Sequence, residues 1–115
     1  MEKHRHVRSE ARYELNLKIN LSAKKHPVLA GQEFYTNNIS RKGLFVNCPH
    51  SIGKINEPVD FTIIRAVEPH LSGKALIRWY KENTSERDLG VGLEIIQFKS
   101  QFASEEFAHL VSFLE

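Results

Sequence analysis

Hydrophobic and polar residues alternate strictly over residues 13–21. Every odd position from Tyr13 to Leu21 carries a large apolar side chain, and every even position carries Glu, Asn or Lys. Because successive side chains of a strand point to opposite faces, this period of two predicts a half-buried β-strand. Its odd-numbered residues are expected to face a core, and its even-numbered residues to face solvent.

Five further strands are indicated by runs of β-branched, aromatic and aliphatic residues between turn-forming segments. These strands are expected at residues 28–38, 44–46, 59–65, 74–81 and 89–96. The connections are expected at residues 37–43, 49–58, 66–73 and 82–88, the last as a hairpin loop.

The period changes near the end of the sequence. Apolar residues then recur at i, i+3, i+4 and i+7, namely Phe107, Leu110, Val111 and Leu114. This spacing predicts a short amphipathic helix with Glu105 and Glu106 in its first turn, at the positive end of the helix dipole. Six short strands and one helix predict a mostly β fold, a six-stranded antiparallel barrel with a C-terminal α-helix.

The length of 115 residues leaves room for one domain. Residues 1–12 have no hydrophobic period and are expected to form a flexible N-terminal arm, whereas residues 13–115 form the barrel domain with its helix. The polar N-terminus lacks the apolar region of a signal peptide, so a cytoplasmic location is expected. No apolar run approaches the roughly 18 residues of a membrane span, so no membrane insertion is expected.

The formal net charge of +2 hides an asymmetry along the chain. Residues 1–25 carry a net charge of +4, residues 26–81 one of +3, and residues 82–115 one of −5. A basic front half with an acidic tail indicates a local anion site rather than a general nucleic-acid surface, the alternative being scattered solvated charges.

Two arginines four residues apart, Arg8 and Arg12, precede the first strand. Both are even-numbered, so if the strand continues backwards both guanidinium groups lie outside the barrel. A guanidinium fork fits the O6 and N7 acceptors of guanine, and it also fits phosphate. Alone, this spacing is more typical of a solvated arm.

A second motif, Asn38-x-Ser40-x-x-Gly43, precedes the third strand. Asn38 and Ser40 can share one face of extended backbone, and Gly43 can supply a positive-φ turn or let a ligand approach the backbone. Alone, the motif is more often an Asx turn that closes on glycine. The joint chance occurrence of both motifs is on the order of one in seventy, which favours a common site.

In this order and around this strand pattern, the motifs resemble those of the PilZ domain, a bacterial receptor for the second messenger cyclic di-GMP. The segments that carry the resemblance span nearly the whole chain: RSEAR, NNISRKGLFV, KALIRWY and LGVGLEII. The resemblance implies a six-stranded barrel with cyclic di-GMP on its outer face, bound by Arg8, Arg12, Asn38, Ser40 and Gly43. Asn38 stands where many members have Asp, which removes one charge-assisted contact to guanine N–H groups.

Four more residues are candidate secondary contacts of the ligand: Arg5, Val7, Arg41 and Trp79. The resemblance implies that the residue before the first motif arginine influences whether one or two ligands bind. Val7 at that position favours one cyclic di-GMP per chain. Arg41 adds positive field at the site or is a solvated turn charge. For Trp79, packing in the core is favoured over stacking on a purine.

The sequence gives no positive reason to expect an enzyme. Cys48 is the only cysteine in the sequence. The sequence also shows no nucleophile–base constellation and no glycine-rich phosphate loop followed by a helix. His4 and His6 lack a third ligand, so neither a metal nor another cofactor is expected.

We therefore expect a non-catalytic signalling receptor that orders its arm on binding cyclic di-GMP and then acts on an unidentified protein partner. One alternative is a PilZ-like adaptor that works through protein contacts without a nucleotide. Another is a small barrel that binds single-stranded nucleic acid, which would need exposed aromatic residues interleaved with basic ones along one sheet.

Overall fold

The structure, a computed structural model, describes residues 11–24, 31–48, 52–81 and 90–115. Within them the sheet has seven strands: β1 Tyr13–Glu14, β2 Lys18–Ser22, β3 Glu33–Ser40, β4 Gly43–Asn47, β5 Pro58–Ile63, β6 Leu71–Lys81 and β7 Gly90–Phe98. The helix α1 spans Gln101–Leu114. The expected hairpin loop at 82–88 and residues 1–10 of the expected arm lie outside the described residues.

The sheet closes on itself. Its strands are paired antiparallel in the order β1-β3-β2-β5-β6-β7-β4, and a pairing of β3 with β4 completes the ring. Both β1 and β2 pair with β3, so they are two parts of one barrel strand. The predicted six-stranded antiparallel barrel with a C-terminal helix is therefore confirmed.

The first strand is interrupted at residues 15–17, where a single unbroken strand was predicted. Opposite the gap, β3 has an irregular register between Thr36 and Asn38. The buried Thr36 hydroxyl accepts a hydrogen bond from the Leu17 amide at 2.8 Å and donates one to the Leu15 carbonyl at 2.6 Å. The Thr36 side chain on the neighbouring strand thus takes the place of main-chain hydrogen bonds between the strands. The alternation of residues 13–21 does not reveal this interruption.

Several strand boundaries also differ from the prediction, and β3, for example, begins at Glu33 and not at residue 28. Residues 37–40 continue β3, and the turn into β4 is confined to residues 41–42. Asn and Ser are weak strand formers, but Ile39 between them is fully buried and pairs with Leu44, so packing overrides local propensity. The strand β6 begins at Leu71, three residues before its predicted start.

The core fills the barrel and extends to one side of α1. Ile19 and Leu21 are buried, which confirms the inward face predicted for the first strand. The buried residues of α1 are Ala103, Phe107 and Val111. Phe98 links the barrel to the helix: its ring lies 5.7 Å from that of Phe61 and 5.3 Å from that of Phe107.

The helix α1 begins four residues earlier than Glu105. Ser100 caps it, because its hydroxyl accepts a hydrogen bond from the Ala103 amide at 3.0 Å. The prediction that Glu105 and Glu106 occupy the first turn is therefore wrong, and Glu106 instead forms an ion pair with Arg65 at 3.2 Å. None of the helices in the described ranges is long and apolar enough to cross a membrane.

Candidate functional site

Four residues from four neighbouring strands form a row across the outer face of the barrel. The cross-strand pairs are Asn38 with Phe45, Phe45 with Gly92, and Gly92 with Trp79. Directly paired residues of a sheet project from the same face. The adjacent residues Leu44, Leu93 and Ile77 are buried in the core, so this row lies outside it.

Trp79 belongs to this outer row and not to the core, so the prediction that it packs inside is wrong. Ala75 and Ile77 face inward, and unbroken alternation places Trp79 inward as well. The register of β6 against β7 shifts between Ile77 and Trp79, which reverses the parity. Tyr80 turns inward instead, and its hydroxyl donates a hydrogen bond to the Gly53 carbonyl.

The Trp79 ring is stacked on Phe45, with ring centroids 5.0 Å apart and an angle of 12° between the planes. Two glycines of β7 make room for the pair. A Cβ on Gly92 would lie 2.3 Å from Trp79 Cε2, and a Cβ on Gly90 would lie 2.3 Å from Phe45 Cζ. The rings therefore lie close against the β7 backbone, and Phe45 is 4% exposed although it lies outside the barrel.

Arg12 connects the first motif to this row. Its guanidinium carbon lies 5.4 Å from the centroid of the Trp79 ring, within cation–π distance. The row thus carries a cation at its Trp79 end and an amide, Asn38, at its other end. Arg8, Arg5 and Val7 lie outside the described residues.

The second motif adds a parallel row. Ser40 pairs with Gly43, and Gly43 pairs with Glu94 across β3, β4 and β7. Asn38 and Ser40 are therefore on one outer face of extended backbone, as expected from their spacing. Ser40 is largely buried, at 7% exposure.

Gly43 lies close to neighbouring atoms and has no unusual backbone angle. Among the described glycines, positive φ angles occur at Gly31 and Gly53, so the alternative of a positive-φ turn at Gly43 is wrong. A Cβ on Gly43 would lie 3.1 Å from the Leu93 carbonyl oxygen and 3.3 Å from Ser40 Oγ. The absence of a side chain at Gly43 avoids these two tight contacts.

Two ion pairs border the site. Arg78 Nε lies 2.8 Å from Glu94 Oε1, which offsets the acid next to Gly43. Arg41 donates two hydrogen bonds to Glu115, from Nη2 to Oε1 at 2.8 Å and from Nε to Oε2 at 3.0 Å. The structure thus places Arg41 against the end of α1 and does not bring it into the row with Trp79.

A flat aromatic surface, a guanidinium, an amide and a hydroxyl lie together on one face. Such a set can bind a planar, anionic, hydrogen-bonding ligand. In the described ranges, no group of three or more His, Cys, Asp or Glu side chains is placed to hold a metal ion. The sequence did not identify Phe45 and Gly92, although the Gly-x-Gly of LGVGLEII already placed two glycines on one face of a strand.

Comparisons with known proteins agree with this architecture. The family model of the PilZ domain matches residues 6–114. The solved structure of the Bacillus subtilis inhibitor of motility, MotI/DgrA, is similar with a TM-score of 0.68 at 15% sequence identity. That similarity covers 93% of this chain and 48% of the Bacillus subtilis chain, so this chain spans about half the length of that protein. At this sequence identity, the similarity shows that the two chains share a fold. No curated protein matches the chain.

Proposed function

The chain belongs to the PilZ domain family, and from this premise we propose that it is a bacterial, cytoplasmic receptor for cyclic di-GMP. PilZ domains are binding and adaptor domains. The proposal assigns this chain a signalling role that requires neither catalysis nor a cofactor.

The observation that carries the proposal is that Arg12 of the first motif and Asn38 of the second lie on one outer face. Arg12 of the first motif lies over Trp79, and the outer row runs from there to Asn38 of the second motif. These motifs are 26 residues apart in sequence at their nearest members, so only the folded barrel brings them together. A shared face is the arrangement that one ligand needs in order to contact both.

Cyclic di-GMP has the chemistry of this face. Each guanine offers the O6 and N7 acceptors that fit an arginine fork, and each phosphodiester offers an anion for a second arginine. We assign these contacts to Arg8 and Arg12. The Asn38 amide oxygen accepts from guanine N–H groups on the other edge, and Ser40 and Gly43 bind the ligand where the backbone is open.

Ligand binding in this proposal orders residues 1–7 of the N-terminal arm. Fixing six arm residues costs roughly 6–12 kcal/mol of backbone entropy. Charge-assisted hydrogen bonds contribute about 1.5–3 kcal/mol each, so several arginine contacts are required. A net free energy of about −8 kcal/mol, a micromolar dissociation constant, is consistent with these terms. The ordered arm then forms part of a new surface for a protein partner.

Calorimetric titration with cyclic di-GMP, GTP and a short single-stranded oligonucleotide tests the proposal. We expect saturable micromolar binding of cyclic di-GMP and at least tenfold weaker binding of the other two. Binding of none of them indicates the adaptor that works without a nucleotide, and preferential binding of the oligonucleotide indicates the nucleic-acid alternative.

Backbone NMR relaxation separates ligand binding from the ordering of the arm. Order parameters of residues 1–7 are expected to be low in the free protein and to rise on saturation with cyclic di-GMP. Unchanged order parameters at saturation contradict the switch and leave the binding proposal standing.

A further inference from the structure

We propose that Trp79 is a positioning residue for Arg12, and that Gly92 is the residue that makes this position available. The inference rests on the proposed function, because it concerns how the cyclic di-GMP face is prepared before the ligand arrives. This inference gives residues of β6 and β7 a role in a site whose motifs lie before β1 and on β3 and β4.

Three structural features set the position of the Trp79 ring. The register shift in β6 turns it outward, Phe45 stacks against it at 5.0 Å, and Gly92 leaves the space beneath it. A Cβ at Gly92 would meet Trp79 Nε1 at 2.4 Å and Cε2 at 2.3 Å, distances that real Cβ atoms do not show. Any other residue at position 92 therefore displaces the ring.

The fixed ring holds Arg12. An arginine on a surface has many rotamers, and a ligand that binds it must remove that freedom. The Trp79 ring lies 5.4 Å from the Arg12 guanidinium carbon and restricts it before the ligand binds. Trp is the most favourable aromatic partner for a guanidinium in this geometry.

Stacking and ligand recognition use different parts of the guanidinium. The cation–π contact engages its face, whereas a fork to guanine or phosphate engages the N–H groups at its edge. Trp79 and the ligand can therefore contact Arg12 at the same time. Gly92 acts on the ligand through Trp79, and Trp79 acts through Arg12.

Four variants test this order of action: Trp79→Phe, Trp79→Leu, Gly92→Ala and the double variant Gly92→Ala/Trp79→Leu. Calorimetry with cyclic di-GMP is expected to give a loss of affinity of about tenfold for Trp79→Leu and for Gly92→Ala, with most of the affinity kept in Trp79→Phe. In the Trp79→Leu background, Gly92→Ala is expected to add no further loss, because the ring that it displaces is absent. Wild-type affinity in Trp79→Leu, or additive losses in the double variant, overturns the proposal.

Gly73→Ala provides a matched control. A Cβ on Gly73, also in the sheet, would lie 2.5 Å from the Gln97 carbonyl oxygen and 2.8 Å from Phe61 Cζ. This variant is expected to lower the melting temperature but to keep the wild-type affinity for cyclic di-GMP. An affinity loss equal to that of Gly92→Ala shows general destabilisation instead of positioning and overturns the proposal.

A measurement on the free protein separates this inference from the proposed function. The Arg12 Nε–Hε NMR signal is expected to carry a ring-current shift in wild type and to lose it in Trp79→Leu and Gly92→Ala. If wild type does not bind cyclic di-GMP, the proposed function fails, and this signal still decides the position of Arg12. An Arg12 signal that is the same in wild type and Trp79→Leu overturns the inference whatever the ligand does.

Discussion

Arg41 and Glu115 join the turn of the second motif to the end of α1 through two hydrogen-bonded contacts of 2.8 and 3.0 Å. The pair is 74 residues apart in sequence, and the Arg41 side chain is 59% exposed. An exposed ion pair contributes about 0–1 kcal/mol to stability. Its main consequence is therefore a direct link between the turn that follows Ser40 and the C-terminal helix.

Glu115→Gln is expected to raise the affinity for cyclic di-GMP by a factor of about two to five, because Arg41 then adds its positive field to the site. The free energy of unfolding is expected to change by less than about 1 kcal/mol. Calorimetry and thermal unfolding measure the two effects. Adding Arg41→Ala to the variant should remove the gain. Glu106→Gln, which breaks the pair with Arg65, is the control, and an equal gain there contradicts the assignment to Arg41.

Arg8→Ala and Arg12→Ala are each expected to weaken cyclic di-GMP binding by at least about 2 kcal/mol, roughly thirtyfold, because a two-bonded charge-assisted contact is lost. Melting temperatures should stay close to that of wild type. Lys74→Ala, which removes a charge on β6 beside Asp60, is the control for net charge. The assignment of the first motif fails if the Arg8/Arg12 double variant binds cyclic di-GMP as wild type does.

Gly43→Val is expected to weaken binding by more than Lys42→Ala. A side chain at position 43 meets the Leu93 carbonyl oxygen at 3.1 Å and Ser40 Oγ at 3.3 Å and fills the space beside the hydroxyl. A cost of about 1–3 kcal/mol in unfolding free energy is also expected from crowding. Calorimetry on both variants measures the difference. Equal and negligible effects on affinity would show that the ligand does not use the open backbone at Gly43.

One cyclic di-GMP per chain is expected at saturation. Val7, at the position before the first motif arginine, offers neither a planar cation nor a charge for a second ligand. A pair of ligands carries four phosphodiester charges, and Arg8 and Arg12 balance half of them. Calorimetric stoichiometry measures the number. Two ligands per chain contradict the prediction, and loss of the second ligand in Arg5→Ala would then assign that role to Arg5.

Thr36→Val is expected to destabilise the barrel by about 1–3 kcal/mol, since it leaves the partly buried Leu17 amide without its hydrogen-bond acceptor. Thr36→Ser keeps the hydroxyl and is expected to cost less. Chemical denaturation of both variants measures the difference. If Thr36→Val is as stable as Thr36→Ser, the hydroxyl does not support the interrupted first strand.

The barrel and the face of the second motif could be predicted because they depend on alternation within single strands. Ile19 and Leu21 lie inside, and Asn38 and Ser40 lie outside together, as period two requires. Local pattern also places the residues of α1 that pack on the barrel. These features need no knowledge of which strands are neighbours.

The outward position of Trp79 could not be predicted, because it depends on a register shift between β6 and β7. A bulge is set by the pairing of two strands, and one strand alone shows only its own alternation. The same limit applies to Thr36. This residue belongs to β3, and its hydroxyl bonds to the neighbouring first strand where that strand is interrupted. The start of α1 depends on the Ser100 hydroxyl, which caps the helix four residues before Glu105, outside the apolar repeat that predicts the helix.

The outer row has a consequence for cooperativity. Asn38, Phe45, Gly92 and Trp79 become neighbours only when β3–β4, β4–β7 and β6–β7 are all paired. A partly opened barrel therefore has no intact row, even where each separate strand persists. Ligand that binds only the closed barrel stabilises it by mass action against every such opening. Hydrogen exchange of the amides in these pairings should consequently slow together as the ligand concentration rises, as one cooperative unit.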